Sequence, residues 1–320
     1  MDDRPWRYIL AVAAEKSFSQ AARKLYISQP SLSQYVKKIE TEVGMELFDR
    51  SSSPISLTEA GEAFVNTANK IKELEHQLLQ QVNDLANLQC GKLTIGSSDY
   101  NSTKFLPQIL TVFREMYPDI DICMAEGSTL EIEDFVLNGI ADVGLALLPL
   151  HYQQLQAEEL FTEEFIIALS PRHQLSRSFS NLNLLRNPLP LIDFSQLSNT
   201  PFIIMKKGHL LRDSFFELCN KAAFTPKVVL ETHSLFAAQS LVSAGMGAAL
   251  LPYTIIFNNI AEPPCYFSLG TTAPARRLAV IYKKERYLSK AARTFISLLK
   301  STLSVNYLAK YEIFNNQIKS

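Results

Sequence analysis

Between Ser28 and Val43 the segment SQPSLSQYVKKIETEV carries the pattern that most narrows what this chain can fold into. Ser28 is placed to cap a helix, and Gln29 and Pro30 fall in its first turn, where a missing proline N–H costs nothing. Leu32, Val36, Ile39 and Val43 follow at spacings of four, three and four, which puts them on one buried face. The other faces carry Gln29, Ser31, Ser33, Gln34, Lys37 and Lys38, hydrogen-bonding and cationic groups of the kinds that meet base edges and phosphates from a helix in a major groove.

Upstream, Trp6, Ile9, Leu10, Val12 and Ala13 recur at helical spacing in a segment ending near Glu15. A second short helix follows, with Ser19 as its expected N-cap and Ala21, Ala22 and Leu25 on its buried side. Tyr26 and Ile27 make the turn. Helix, turn and polar second helix fit a helix-turn-helix, and on pattern alone they fit a plain three-helix bundle equally well. Charge adds a hint: the stretch from Lys16 to Ile39 holds Lys16, Arg23, Lys24, Lys37 and Lys38 and no acidic residue, although the whole chain balances 31 basic against 32 acidic groups. A solvated helix face would show the same local excess. Beyond Gly44, Leu47 and Phe48 anchor a short strand, Arg50 to Pro54 form a polar turn, and Ile55 to Leu57 pair back as a wing that brings Arg50 to a phosphate.

The residues Ala11-Val12-Ala13, Ser17-Phe18-Ser19-Gln20-Ala21-Ala22, Leu25, Ser28-Gln29-Pro30-Ser31-Leu32-Ser33, Ile39-Glu40, Gly44, Leu47-Phe48-Asp49-Arg50 and Leu57-Thr58-Glu59-Ala60-Gly61 resemble the signature of LysR-type transcriptional regulators, in register and without a gap. The resemblance implies that the helix from Pro30 to about Glu42 reads DNA. It carries DNA contact onto Ser28, Gln29, Pro30, Ser31, Ser33, Gln34, Lys37 and Lys38, with Arg50 in the wing. Two positions depart from the commonest pattern. Lys16 stands where glycine is usual, and is expected to lengthen the first helix or add a phosphate contact. Tyr35 stands where a polar residue is frequent, and is expected to alter base preference.

From Thr58 to about Gln89 a single long helix is expected, capped by Thr58. Phe64, Ile71, Leu78 and Leu85, with Ala60, Thr67, Leu74 and Leu88 between them, repeat every seven residues as in a coiled coil, and Gln81 interrupts the seam. So narrow a stripe fits a partner helix better than the helix's own domain.

After Cys90-Gly91 short β-type runs alternate with helical ones, which predicts an α/β architecture. One unit is read from strands at Lys92–Gly96, Ile120–Ala125 and Ala141–Leu147 and helices at Lys104–Tyr117 and Leu130–Asn138. A second is read from strands at Phe165–Leu169, Pro201–Met205, Val228–Glu231 and Gly247–Leu251 and helices at Leu210–Ala223 and Ser234–Ala244. The strand Leu278–Tyr282 and the helix Lys290–Leu303 return to the first unit. The resemblance implies a periplasmic-binding-type fold in which two strands cross between subdomains and a small effector lies in the cleft. The expected organisation is α/β overall: an all-α winged helix-turn-helix over 1–58, a dimerising linker helix over 59–89, and a sensor over 90–304. The sensor divides into about 90–164 with 269–304 and about 165–268, and a tail follows over 305–320. Residues 172–190 look like a surface-loop insertion.

Open parallel sheets bind ligands beyond the C-terminal ends of their strands, at helix N-termini. The resemblance places Ser98, Tyr100, Ser128 and Thr129 on one side of the cleft, and Met205 and Lys206, with Thr232 at a helix start, on the other. Hydroxyls there are often only caps. A Lys206 or Lys207 ammonium would favour an organic anion.

No apolar run reaches the ~20 residues of a membrane span, and MDDRPW lacks a signal-peptide core, so a cytoplasmic chain is expected. Cys90, Cys123, Cys219 and Cys265 form no CxxC pair, so reduced structural thiols and no metal or cofactor are expected. The signatures GxSxG, HExxH, GxxxxGK[ST] and GxGxxG are absent, and His151, His173, His209 and His233 have no ligand spacing. An enzyme is therefore disfavoured, and so is a stand-alone solute-binding protein. Expected partners are double-stranded DNA with a pseudo-palindromic site, a small effector, a second or further copy of the chain as homodimer or homotetramer, and RNA polymerase.

Overall fold

A computed structural model describes residues 4–52, 54–86, 90–178, 189–258, 260–270 and 274–316, the side chain of Phe257 and those from residue 304 onward excepted. The chain forms two compact units, 1–86 and 87–320.

The first unit begins with α1 (Arg4–Glu15), α2 (Phe18–Lys24) and α3 (Gln29–Val43), followed by β1 (Phe48–Asp49), β2 (Ser56–Leu57) and the long α4 (Glu59–Leu85). Ile9, Val12, Phe18, Ala21, Ala22, Leu32, Val36, Ile39, Leu47 and Phe48 form one buried core. Each fully buried branched or aromatic side chain contributes ~1.5–3 kcal/mol. Ser28 caps α3 by accepting the Ser31 N–H, and Gly44 ends it in the left-handed region at φ 79°. Ser17, and not Ser19, caps α2, because the helix starts two residues earlier than the apolar spacing implied.

The two strands pair antiparallel, Phe48 opposite Leu57, and make the wing. Thr58 joins it to α4, donating its hydroxyl to the Glu46 carbonyl and its N–H to that of Leu47. Gly61 lies so close behind that a Cβ there would stand 2.0 Å from the Leu47 oxygen, so only glycine fits.

Lys16 does not extend the first helix. It takes φ 48° directly after Glu15, a conformation that disfavours any side chain by ~1–2 kcal/mol. Lys16→Gly is therefore expected to stabilise this unit by about 1 kcal/mol after glycine's own entropic penalty. Denaturant unfolding followed by Trp6, the chain's one tryptophan, measures it; a lower midpoint would show that the lysine side chain makes a contact worth more than the strain.

The second unit opens with β3 (Cys90–Ser97), the short α5 (Asp99–Lys104), α6 (Leu106–Met116), β4 (Asp119–Glu126), α7 (Thr129–Leu137), β5 (Val143–Leu148) and the fifteen-residue β6 (Leu155–Leu169). There follow α8 (Gln174–Arg177), β7 (Pro201–Met205), α9 (Leu210–Lys221), β8 (Lys227–Thr232), α10 (Leu235–Ser243), β9 (Ala249–Pro252), β10 (Cys265–Ser268), β11 (Ala275–Lys283) and α11 (Lys290–Asn316). The helix expected at Lys104–Tyr117 is α6, and the short α5, which the sequence did not suggest, precedes it with Phe105 between the two. The last helix runs on through most of the expected tail. Residues 179–188, within the presumed insertion, lie outside the described residues.

β4, β3 and β5 are parallel, with β11 antiparallel beside β5. The first half of β6 pairs with β11, and its second half pairs with β9 and β10. It therefore belongs to both subdomains, and the β10–β11 segment makes the return crossing. In the second subdomain β7 and β8 are parallel, and Ile203 donates to Ala248 at 2.8 Å to join them to the segment before β9. Phe194, Phe202, Phe215 and Phe224 cluster at its centre in edge-on and tilted contacts.

Candidate functional site

In the first unit α3 turns Leu32, Val36, Ile39 and Glu40 inward, while Ser28, Gln29, Pro30, Ser31, Gln34, Lys37 and Lys38 are exposed and Ser33 is half-buried. Ser28 is partly committed, since its hydroxyl also lies 2.7 Å from that of Ser31. Sequence and structure thus agree on a continuous polar, cationic face.

Two residues differ from their expected roles. Arg50 is bound inward: it donates to the Glu40 carboxylate at 2.6 Å and lies over the Phe18 ring, while Glu40 also accepts the Leu47 N–H. The guanidinium ties the wing to α3 and keeps an exposed edge. Tyr35 faces α1, edge-on to Tyr8 at 4.9 Å, which makes it a packing residue. Polarity alone could not reveal either, because both roles depend on a neighbour distant in sequence.

In the second unit a cavity of about 380 Å³ opens between the subdomains. Ser98, Tyr100, Ser128 and Thr129 line it as expected. Ser98 caps α5 and Ser128 caps α7 in a full capping box with Glu131, whose carboxyl is held below its usual range by the Ser128 N–H and hydroxyl.

The far wall departs from expectation. Met205 is buried, Lys206 and Lys207 are exposed, and Thr232 accepts the Ser234 N–H; none of the four lines the cavity. The chain reaches it slightly later in each case, two or three residues on at Gly208 and His209 and at the very next residue, His233, before α10. The cation at the cavity is Arg276, which the sequence reading missed.

Arg276 stands on β11 directly across from Glu163 on β6 and is 3% exposed. Its Nε and Nη2 lie 2.6 and 2.5 Å from Glu163 Oε1, and its guanidinium sits over the Tyr100 ring. Glu163 Oε2 accepts the Thr254 N–H, and the Thr254 hydroxyl is 2.5 Å from that of Tyr100. Burial, reinforced by Glu163, pushes the Tyr100 phenol up, so it stays neutral. Arg276, Glu163, Thr254 and Tyr100 therefore form one buried network across the crossing strands. A cross-strand Glu–Arg register was the only signal that could have found it.

His209 caps α9, its Nδ1 accepting the Leu211 N–H at 3.4 Å, which leaves the ring proton on Nε2. Burial, with the nearby Arg276 charge and a smaller repulsion from His233, and against Asp213, brings its pKa down to about 4. From pH 6.5 down to about 4 the unfolded chain binds a proton here that the folded chain does not, so stability falls with pH across that window. The loss is on the order of 2–3 kcal/mol. Urea midpoints from pH 7 to 4.5 should fall less steeply for His209→Asn, which keeps a cap acceptor; an unchanged slope would contradict the assignment.

Among known protein families, residues 4–62 match "Bacterial regulatory helix-turn-helix protein, lysR family" and residues 86–304 match "LysR substrate binding domain". The chain is 29% identical to the uncharacterized HTH-type transcriptional regulator YcgK of Bacillus subtilis (strain 168) over 314 residues, covering 96% of each protein. It is 30% identical to the regulator YwbI of the same organism over 303 residues, covering 95% of this chain and 97% of that one. The fold matches that of full-length CbnR, solved in complex with its target DNA, with a TM-score of 0.66 at 20% identity over 94% of this chain and 100% of that one. With both domain models matched in order along a chain that aligns almost end to end with such regulators, this protein belongs to the LysR family of transcriptional regulators.

Proposed function

We propose that α3 enters the major groove of a pseudo-palindromic operator with Gln29, Ser33, Gln34 and Lys37 at base edges and phosphates, and that an effector in the 380 Å³ cavity shifts the balance between two sensor states. The observation that carries this is the division of α3 into an apolar face, Leu32, Val36 and Ile39, taken up by the core, and a polar face left to solvent; Val43, expected on the apolar face, is 46% exposed at the helix end. Ser31, Lys38 and the exposed edge of Arg50 add phosphate contacts, while Ser28 and Pro30 set the helix start.

Residues 59–89 act as the dimerising linker. Leu74, Leu78, Leu79, Val82 and Leu85 are each at least 50% exposed, which supports a second copy of the chain packed along α4, as dimer or tetramer. The start of the expected seam is used otherwise, since Ala60 and Phe64 pack on the unit's own core. Leu88 lies outside the described residues.

The protein acts by binding and not by catalysis. Its histidines support this: His173 and His209 cap helices, and His151 pairs with the buried Glu133. Among the described residues no helix is long and apolar enough to cross a membrane, and a regulator of transcription works in the cytoplasm, where it also meets RNA polymerase.

A gel-shift assay with DNA from the flanks of the protein's own gene tests the reading. Specific binding that weakens steeply with salt is expected; no complex even at low salt would refute it.

A further inference from the structure

We infer that the sensor cavity takes a zwitterion of the α-amino-acid class, its carboxylate toward Arg276, His209 and His233 and its ammonium toward Asp99, Glu126 and the Asn101 amide. This rests on the cavity being the effector site and adds the chemistry of its occupant.

The two walls are electrically unlike. The first subdomain contributes three carboxylates, Asp99, Glu126 and Glu131. Glu131 is engaged by Ser128, whose N–H and hydroxyl it accepts at 2.8 and 2.7 Å. Asp99 and Glu126 are exposed at the cavity and make no ion pair among the described residues.

Asn101 completes that wall. It is 4% exposed, and its Oδ1 accepts no hydrogen bond among the described residues. A buried acceptor without a donor is unfavourable, and an ammonium is a compact carrier of three donors.

The other wall carries hydrogen-bond donors in place of carboxylates. His209 and His233 stand at the starts of α9 and α10, where backbone N–H groups and the helix dipole favour an anion. His209 presents Nε2–H as a donor, and the buried Arg276 supplies the positive charge at the join of the subdomains. Glu163 already balances that charge, so the wall offers donors and helix N-termini for one carboxylate and no surplus positive charge for a second.

A dicarboxylate would set a second negative charge against Asp99 and Glu126. A simple amine would leave the Arg276 side without an anion. A volume of about 380 Å³ lies at the small end of ligand pockets, typically ~300–1,000 Å³.

The test is titration calorimetry on the dialysed full-length protein with the twenty common α-amino acids, the matched 2-hydroxy acids, the matched amines lacking the carboxylate, and C4 to C6 dicarboxylates. At least one amino acid is expected to bind, with its hydroxy acid and amine each weaker by about tenfold or more, as for one lost charge-assisted contact. Glu126→Gln should weaken that amino acid about tenfold and leave the hydroxy acid unchanged. A hydroxy acid or dicarboxylate binding as tightly as any amino acid overturns the inference, and so does a panel in which no amino acid binds. His233→Trp separates the two readings by filling the cavity mouth. Loss of binding places the ligand in the cavity, whereas undiminished amino-acid binding would refute the cavity itself as the effector site.

Discussion

Replacing Glu163 with alanine is expected to destabilise the sensor by about 3–5 kcal/mol, because it strands the Arg276 charge in a site that is 3% exposed. The same change deprives the Thr254 N–H of its acceptor. For a unit of this size the melting temperature should drop by about 10 °C. The contrasting variant is the double replacement Glu163→Met with Arg276→Leu, which removes both charges and leaves apolar volume. Replacing a buried pair by well-packed apolar groups is often neutral for stability, so with only the Thr254 N–H left unpaired this variant should melt closer to the parent than to Glu163→Ala. It should nevertheless lose effector binding, since the cavity then has no buried cation. Calorimetric melting of the three proteins, followed by ligand titration of the stable ones, measures both effects. A single variant as stable as the parent would mean that solvent reaches Arg276 and that the network is not buried.

Placing glutamate at Leu74, Leu78 and Leu85 together is expected to lower operator affinity by 10²–10⁴ without altering either unit's fold. These leucines are 63%, 55% and 85% exposed, so they contribute little within the chain. Across a linker pair they would form the apolar seam, and α4, with 27 residues and a length of ~40 Å, offers room for it. When two half-sites are read by one dimer, the second contact is intramolecular, and breaking the dimer forfeits that advantage. Sedimentation should show the parent as dimer or larger and the variant as monomer, with the loss of affinity appearing in the same samples. A variant that remains a dimer at micromolar concentration would assign the assembly to another surface.

The DNA-binding unit was legible in the sequence because its information is local. Leu32, Val36, Ile39 and the Ser28 cap act within a turn or two of their own positions, and the structure places each as expected, whereas Val43, read onto the same face, is exposed. Lys16 shows where local reading stops: its left-handed backbone is set by the turn between α1 and α2, whereas its side chain suggested a longer helix.

The sensor was less legible for a different reason. The first half of β6 reads AEELFTEE, too charged for an interior strand. It is a strand because its carboxylates meet partners across the sheet: Glu158 accepts from Tyr282 and Lys300, Glu159 pairs with Arg277, and Glu163 with Arg276. Such partners lie more than a hundred residues away, beyond any periodicity. The cavity wall followed the same rule. The hydroxyls of Ser98 and Ser128 were found, being local caps, whereas Thr232 misses the cavity and the buried arginine on a returning strand was not found.

On the proposed mode of binding, the outward face of α3 reads the operator. The most direct test is the operator affinity of Gln29→Ala, Ser33→Ala, Gln34→Ala and Lys37→Ala, each measured alone at fixed salt alongside its thermal unfolding. The exposed or half-buried positions of these residues predict unfolding unchanged to within ~0.5 kcal/mol and affinity lowered by about tenfold or more, the range of ~1–3 kcal/mol for a lost base contact. Full operator affinity in all four folded variants would contradict it.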